Sequence, residues 1–183
     1  MKKVDLASYK NPEYNPGAGL IKRIIWMSMS WLFFQTYLLP FSSFKRALLR
    51  LFGAKVGKAV VIKPAVLIKH PWYLSIGDFT WIGERVWIDN LVPVEIGDNV
   101  CISQGAMLLT GNHDYKSPTF NLIMEGIKID SGAWIGAKSV VCPGVECGFQ
   151  SVLTVGSVAT KNLEENQIYS GNPAKPVRER VLT

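Results

Sequence analysis

From Val56 onward the apolar positions recur every six residues. An aliphatic or small apolar side chain stands at Val56, Ile62 and Ile68, then at Ile76, Ile82 and Ile88, then at Ile96, Ile102 and Leu108, then at Ile129, Ile135 and Val141, and finally at Cys147, Leu153 and Ala159. Four places after each of these fifteen, twelve hexads carry Val, Ala, Ser or Thr, the exceptions being Trp72, Asn112 and Leu163. The place directly after is glycine at Gly57, Gly77, Gly83, Gly97, Gly136 and Gly148. A period of six matches neither the helical repeat nor the two-residue alternation of a half-buried strand. It predicts a prism of short parallel strands, with one inward aliphatic per flat face and a small or β-branched residue near each corner. On this reading the glycines free the backbone where it turns. An antiparallel barrel would show longer alternating runs joined by Asn-Gly or Asp-Gly turns, and the hexads contain none.

Spacing groups the hexads in threes. The step within a triad is six, but it is eight from Ile68 to Ile76 and from Ile88 to Ile96, and twenty-one from Leu108 to Ile129. The surplus residues therefore leave the prism at one edge, and stacking places them one above another. The pattern predicts a mainly β chain: a parallel β-helix of about five coils over residues 56–183, a loop at 112–126, and a C-terminal tail with a short helix. Residues 1–55 form a separate N-terminal arm and helical segment. Between Ile24 and Phe44 no charge occurs, and Trp26, Trp31, Phe33, Phe34, Tyr37 and Phe41 fill the run. Ser28, Ser30, Gln35, Thr36 and Pro40 weaken it as a membrane span. Two helices over residues 17–52 are expected to cover the open end of the prism, where a bare coil would expose strand edges. Peripheral contact with anionic lipid is the second reading.

Charge and cysteine use narrow the classes. The net charge of +6 is carried by the arm: residues 1–55 hold nine Lys/Arg against Asp5 and Glu13, whereas the remainder is close to neutral. A nucleic-acid binder would spread its cations over a folded face, so no nucleic-acid partner is expected. The 183 residues, 48% of them apolar, suffice for a core without staples. Cys101, Cys142 and Cys147 cannot all pair and lack zinc-ribbon or redox spacing, and the start carries no secretory pattern, so a cytoplasmic place is expected.

With these motifs in hand, the chain resembles the hexapeptide-repeat acyltransferases. Within them it is most similar to the sugar O-acetyltransferases of the galactoside, maltose and colanic acid (exopolysaccharide) type. The resemblance rests on IGDNVCISQGAMLLTGNHDY (96–115), IDSGAWIGAKSVVCPGVECG (129–148) and SVATKNLEENQIYSGNPAKPVRE (157–179). It implies a left-handed parallel β-helix, a homotrimer, acetyl-CoA as donor without a metal, and a sugar or glycan hydroxyl as acceptor. Transfer to an amino or nucleotide sugar and a non-catalytic scaffold are the alternatives.

Acetyl transfer to a hydroxyl needs a base, and neutral imidazole suits that task. The resemblance places the catalytic histidine at the loop entry, on His113, with Asp114 or Glu125 as candidates to orient it. His70, before Pro71, reads as a packing histidine. Asp89, Asn90, Trp134 and Arg85 are candidate acceptor-binding residues, although galactoside-type enzymes have an asparagine about where Arg85 stands. Ala137, Val155 and Gly156 are expected to line the pantetheine arm of the donor, and Thr160, Lys161, Lys175 and Arg178 its phosphates. The cysteines are expected to pack as small hydrophobes. Two histidines cannot supply a three-histidine zinc site in one chain.

Overall fold

A computed structural model describes residues 3–183. Three parallel sheets form the faces of a prism, and each turn of chain adds one short strand to each face. The first face contains Lys55–Val56, Leu74–Ile76, Val94–Ile96, Ile127–Ile129 and Glu146–Cys147. On the third stand Leu67–Ile68, Trp87–Asp89, Met107–Leu109, Val140–Val141 and Val158–Ala159. The second runs from Val61–Ile62 through Trp81–Ile82, Cys101–Ile102, Trp134–Ile135 and Val152–Leu153 to Gln167–Gly171, one strand into a sixth turn. In the tail, where a short helix was expected, Ala174–Glu179 instead folds back antiparallel on Gln167–Gly171. Pairing covers the last strand of the second face, which a helix would have left open.

Hexad positions pair with hexad positions. Ile62 stands beside Ile82, Ile82 beside Ile102, Ile102 beside Ile135 and Ile135 beside Leu153. All the inward positions except the half-buried Val56 are buried, and so are their small partners except the half-buried Val92, among them Val60, Thr80, Val100, Ala133 and Ser139. One-residue slips would turn every aliphatic outward, so the core fixes the register.

The glycines after the aliphatic positions have a cause other than the one expected. Left-handed φ occurs two places later, at Ala65, Arg85, Gly105, Lys138 and Gly156 along one corner. A Cβ at Gly136 would instead lie 2.6 Å from Leu153 O, and one at Gly83 2.6 Å from Gln104 N. These glycines let successive coils approach at the corner.

Two helices close the N-terminal end: α1 (Leu20–Phe33) and α2 (Ser42–Leu51). The first coil has no earlier coil to bond, and α2 supplies donors to its free carbonyls. Arg46 reaches Val60 O (2.7 Å), Lys45 reaches Lys63 O (3.0 Å), and Arg50 bonds Val56 O and Gly57 O (2.7 and 2.8 Å). Trp26 of α1 donates its indole N–H to Ile68 O (3.0 Å). Three of the arm's nine cations thus act as hydrogen-bond donors at a rim of carbonyls. Burial holds the Lys45 ammonium below the usual lysine range.

Candidate active site

The corner after the third face carries the long insertion. There the coils are tied by side chains. Asn90, fully buried, accepts from His70 N–H (3.0 Å) and donates to His70 O (2.6 Å), and the Thr110 hydroxyl accepts from Leu91 N–H (2.8 Å) and donates to Asp89 O (2.8 Å). Asn90 therefore has no exposed amide for an acceptor; it is a rung of the corner, and that expectation is corrected. Its sequence neighbour Asp89 is half-buried and paired with Lys69 at 2.8 Å. His70 does pack: it is 7% exposed and stacks on Trp72 at 5.1 Å. Desolvation holds its imidazole below the usual value.

From this corner a hairpin projects, Gly111–His113 paired antiparallel with Leu122–Met124. His113 ends its first strand. Its Nδ1 lies 2.8 Å from Phe120 O and its ring stacks on the Phe120 ring at 4.5 Å. A carbonyl only accepts, so Nδ1 carries the proton and Nε2 is left as the basic nitrogen. Neither candidate carboxylate orients the ring. Asp114 caps Lys116 N–H, and Glu125 extends toward Gly144. Phe120 adopts φ +52°, which turns its carbonyl back to the ring across the loop. No sequence signal marks such a main-chain partner.

The N-terminal arm completes the cavity. Asp5 N–H donates to Pro118 O (2.8 Å), tying arm to loop. A cavity of about 550 Å³ lies between them, walled by Tyr9, Tyr14, Lys69, Asp89 and His113. Sequence reading missed Tyr9 and Tyr14, because the arm has no periodicity and reaches the site only through the fold. Burial raises the Tyr14 phenol above its ordinary value.

Trp134 and Arg85 lie elsewhere in the chain. Trp134, 47% exposed on the second face, donates its indole N–H to the Ser103 hydroxyl (2.9 Å). Arg85 sits in the corner column between the second and third faces, above and below residues with the same left-handed φ. The donor candidates share that corner in part. Gly156 N–H donates to Ala137 O (2.8 Å), a Cβ on Gly156 would meet nothing within 4 Å, and Val155 is 71% exposed. These residues form an open, exposed shelf at the corner. Lys175 follows on the C-terminal hairpin, whose Gly171 N–H bonds the Ser157 hydroxyl (3.0 Å), and Arg178 lies further along the same strand. Thr160 and Lys161 are exposed past Val158–Ala159, at the next corner. Cys147 is fully buried and desolvation pushes its thiol up to about 12; burial raises Cys142 as well. Thiols held so far from ionisation are poor nucleophiles.

A three-faced parallel solenoid whose coils repeat every six residues, with a long loop leaving one corner, is the architecture of a hexapeptide-repeat acyltransferase. The chain belongs to the hexapeptide-repeat acetyltransferases. It is 37% identical over 179 residues to a protein named as the colanic acid biosynthesis acetyltransferase WcaF of Escherichia coli, covering 98% of each chain. A hexapeptide-repeat acetyltransferase of Vibrio cholerae superposes with a TM-score of 0.76 at 28% identity, over 87% of this chain and 90% of that one. A galactoside acetyltransferase in complex with coenzyme A gives 0.77 at 25% identity, over 87% and 80%. No protein-family model matches the chain.

Proposed function

We propose that the protein transfers the acetyl group of acetyl-CoA to a sugar hydroxyl during exopolysaccharide or capsule biosynthesis, with His113 as the base. The observation that carries this reading is the fixed tautomer of His113 at the wall of a cavity large enough for a sugar. His113 Nε2 takes the hydroxyl proton as the oxygen bonds to the thioester carbon; the carbon–sulfur bond then breaks and the departing thiolate receives a proton. Asp89 and Lys69 stand where acceptor hydroxyls bind. Ala137, Val155 and Gly156 hold the pantetheine arm, and Thr160, Lys161, Lys175 and Arg178 the phosphate end, where ammonium and guanidinium groups bind phosphate well. The support for acetyl-CoA is the shelf together with the coenzyme A complex of a relative.

Homotrimer formation belongs to the same proposal. Trp81 and Trp134, 59% and 47% exposed, leave the second face apolar toward solvent. Burying that face against another copy would bring Trp134 and Arg85 of one chain toward the His113 cavity of the next. A cytoplasmic place and peripheral membrane contact through residues 17–52 complete the reading; no helix among the described residues is long and apolar enough to cross a membrane. The test is thiol release from acetyl-CoA against a panel of sugars and amino sugars. Release with hydroxyl acceptors that disappears in His113→Ala is expected. Release only with amino sugars, or full turnover in the variant, overturns the assignment.

A further inference from the structure

Helix α1 is apolar on two opposite sides. Trp26 and Ser30 face the prism and are buried. Across the helix, Ile24, Met27 and Trp31 are 51%, 67% and 64% exposed. The exposed apolar surface continues through Tyr37, Leu38 and Phe41 beyond the end of α1. A surface helix ordinarily turns a polar side to water, and a contiguous apolar patch marks a place where something binds. Residues 17–52 contain five cations and no acidic residue, so this face repels no anionic headgroup.

A series of adjacent hollows leads from the stripe toward the His113 cavity. A hollow of about 630 Å³ on its outer side is walled by Met27, Trp31 and Gln35. Met27 and Gln35 also wall a cleft of about 300 Å³ that ends on Lys69 and Asp89. Those two residues are in turn walls of the cavity of about 550 Å³ that holds His113. The three hollows thus stand in a row of neighbours, apolar at the outer end and charged near the inner end, where Lys69 pairs with Asp89.

We propose that the exposed stripe of α1 docks on a bilayer surface and that the acceptor is a glycan carried on a membrane lipid, its apolar part along α1 and its sugar at His113. The acceptor assignment rests on the acetyl-transfer reading; the docking does not. A polarity gradient that begins on an exposed apolar stripe and ends at His113 suits an amphiphilic acceptor better than a free sugar, which would need no apolar approach. Interfacial helices bind in this way, apolar face down, with aromatic side chains at headgroup depth. A second copy of the chain is the competing occupant.

Flotation with phosphatidylcholine–phosphatidylglycerol vesicles decides between them. The wild-type chain is expected to float, and Ile24→Glu and Leu38→Glu to stay at the bottom with unchanged thermal midpoint and unchanged sedimentation. Salt should weaken the binding only slightly, because Lys45, Arg46 and Arg50 are bonded to carbonyls of the first coil. A wild-type chain that stays at the bottom overturns the docking; if the variants also sediment as smaller species, the stripe is a contact between copies. The row of hollows is read separately. Dodecyl maltoside below its micelle concentration should shift the indole N–H resonances of Trp26 and Trp87, which wall the middle cleft, while maltose leaves them in place. Equal shifts with both, or none with either, overturn the acceptor's route along it. Failure of the acetyl-transfer reading shows instead as absent thiol release, which moves neither readout.

Discussion

His113 can accept a proton only at Nε2, and Phe120 enforces this with two different groups: a carbonyl on Nδ1 and a ring stacked on the imidazole. Removing the base and removing its support should differ. His113→Ala is expected to lower kcat by about two to four orders of magnitude, the range for losing a general base, with acetyl-CoA affinity intact. Phe120→Ala keeps the carbonyl and loses the stack; kcat should fall by roughly tenfold to a hundredfold, the scale of a small misplacement, with KM for acetyl-CoA unchanged. Steady-state kinetics with the true acceptor separates the two. On the donor side, Lys161→Ala and Arg178→Ala should weaken binding of coenzyme A more than of its dephosphorylated form if either cation meets the 3′-phosphate. Calorimetry that finds all three proteins equal would return those cations to the solvent.

At the scale of turns and corners, two glycines at different places in the hexad do different things. Gly136→Ala drives a Cβ against Leu153 O of the next coil, so an overpacking loss of about 1–3 kcal/mol is expected. Gly156→Ala meets open space and only the left-handed φ, a conformation that alanine already holds at Ala59 and Ala65, so its cost should be smaller, about 1 kcal/mol. Denaturant midpoints measure the difference. At the His70 corner, the neutral ring is favoured by burial, so the folded state ionises at a lower pH than the unfolded chain, whose value is near 6.5. Its contribution is full above that value and is lost as pH falls through the lower folded one. Thermal midpoints should decline on acidification from about 6.5, and less steeply in His70→Gln. The hexads made the faces, register and core legible, because one inward side chain per six residues has few other solutions. They were silent on Asn90, whose identity reads the same whether its amide faces a sugar or the next coil. The tail misled for a related reason: Pro173 and the cations around it suit a helix end or a hairpin equally, and only the unpaired strand beside them decides.

For the whole molecule, subunit mixing tests where the site lies. If donor shelf and base come from different chains, equal amounts of His113→Ala and a Lys161→Ala/Arg178→Ala double variant, refolded together and assayed at acetyl-CoA too dilute for the double variant to turn over alone, should recover roughly a quarter of wild-type activity, because one chain in two supplies each half. Recovery of none would put both halves in one chain. The cap has its own test: Arg46→Ala strips Val60 O of its donor and should cost about 1–2 kcal/mol in a denaturant titration. A parallel solenoid is a template, since each coil offers the next the hydrogen-bond row it needs, and an open rim invites another chain to add on. Ammonium and guanidinium groups donate but never accept. Having bonded the carbonyls of the first coil, Lys45, Arg46 and Arg50 offer no acceptor through which the row could continue. Chemically they act as chain terminators: α2 stops the solenoid from growing into a fibre, much as a monofunctional reagent ends a polymerisation.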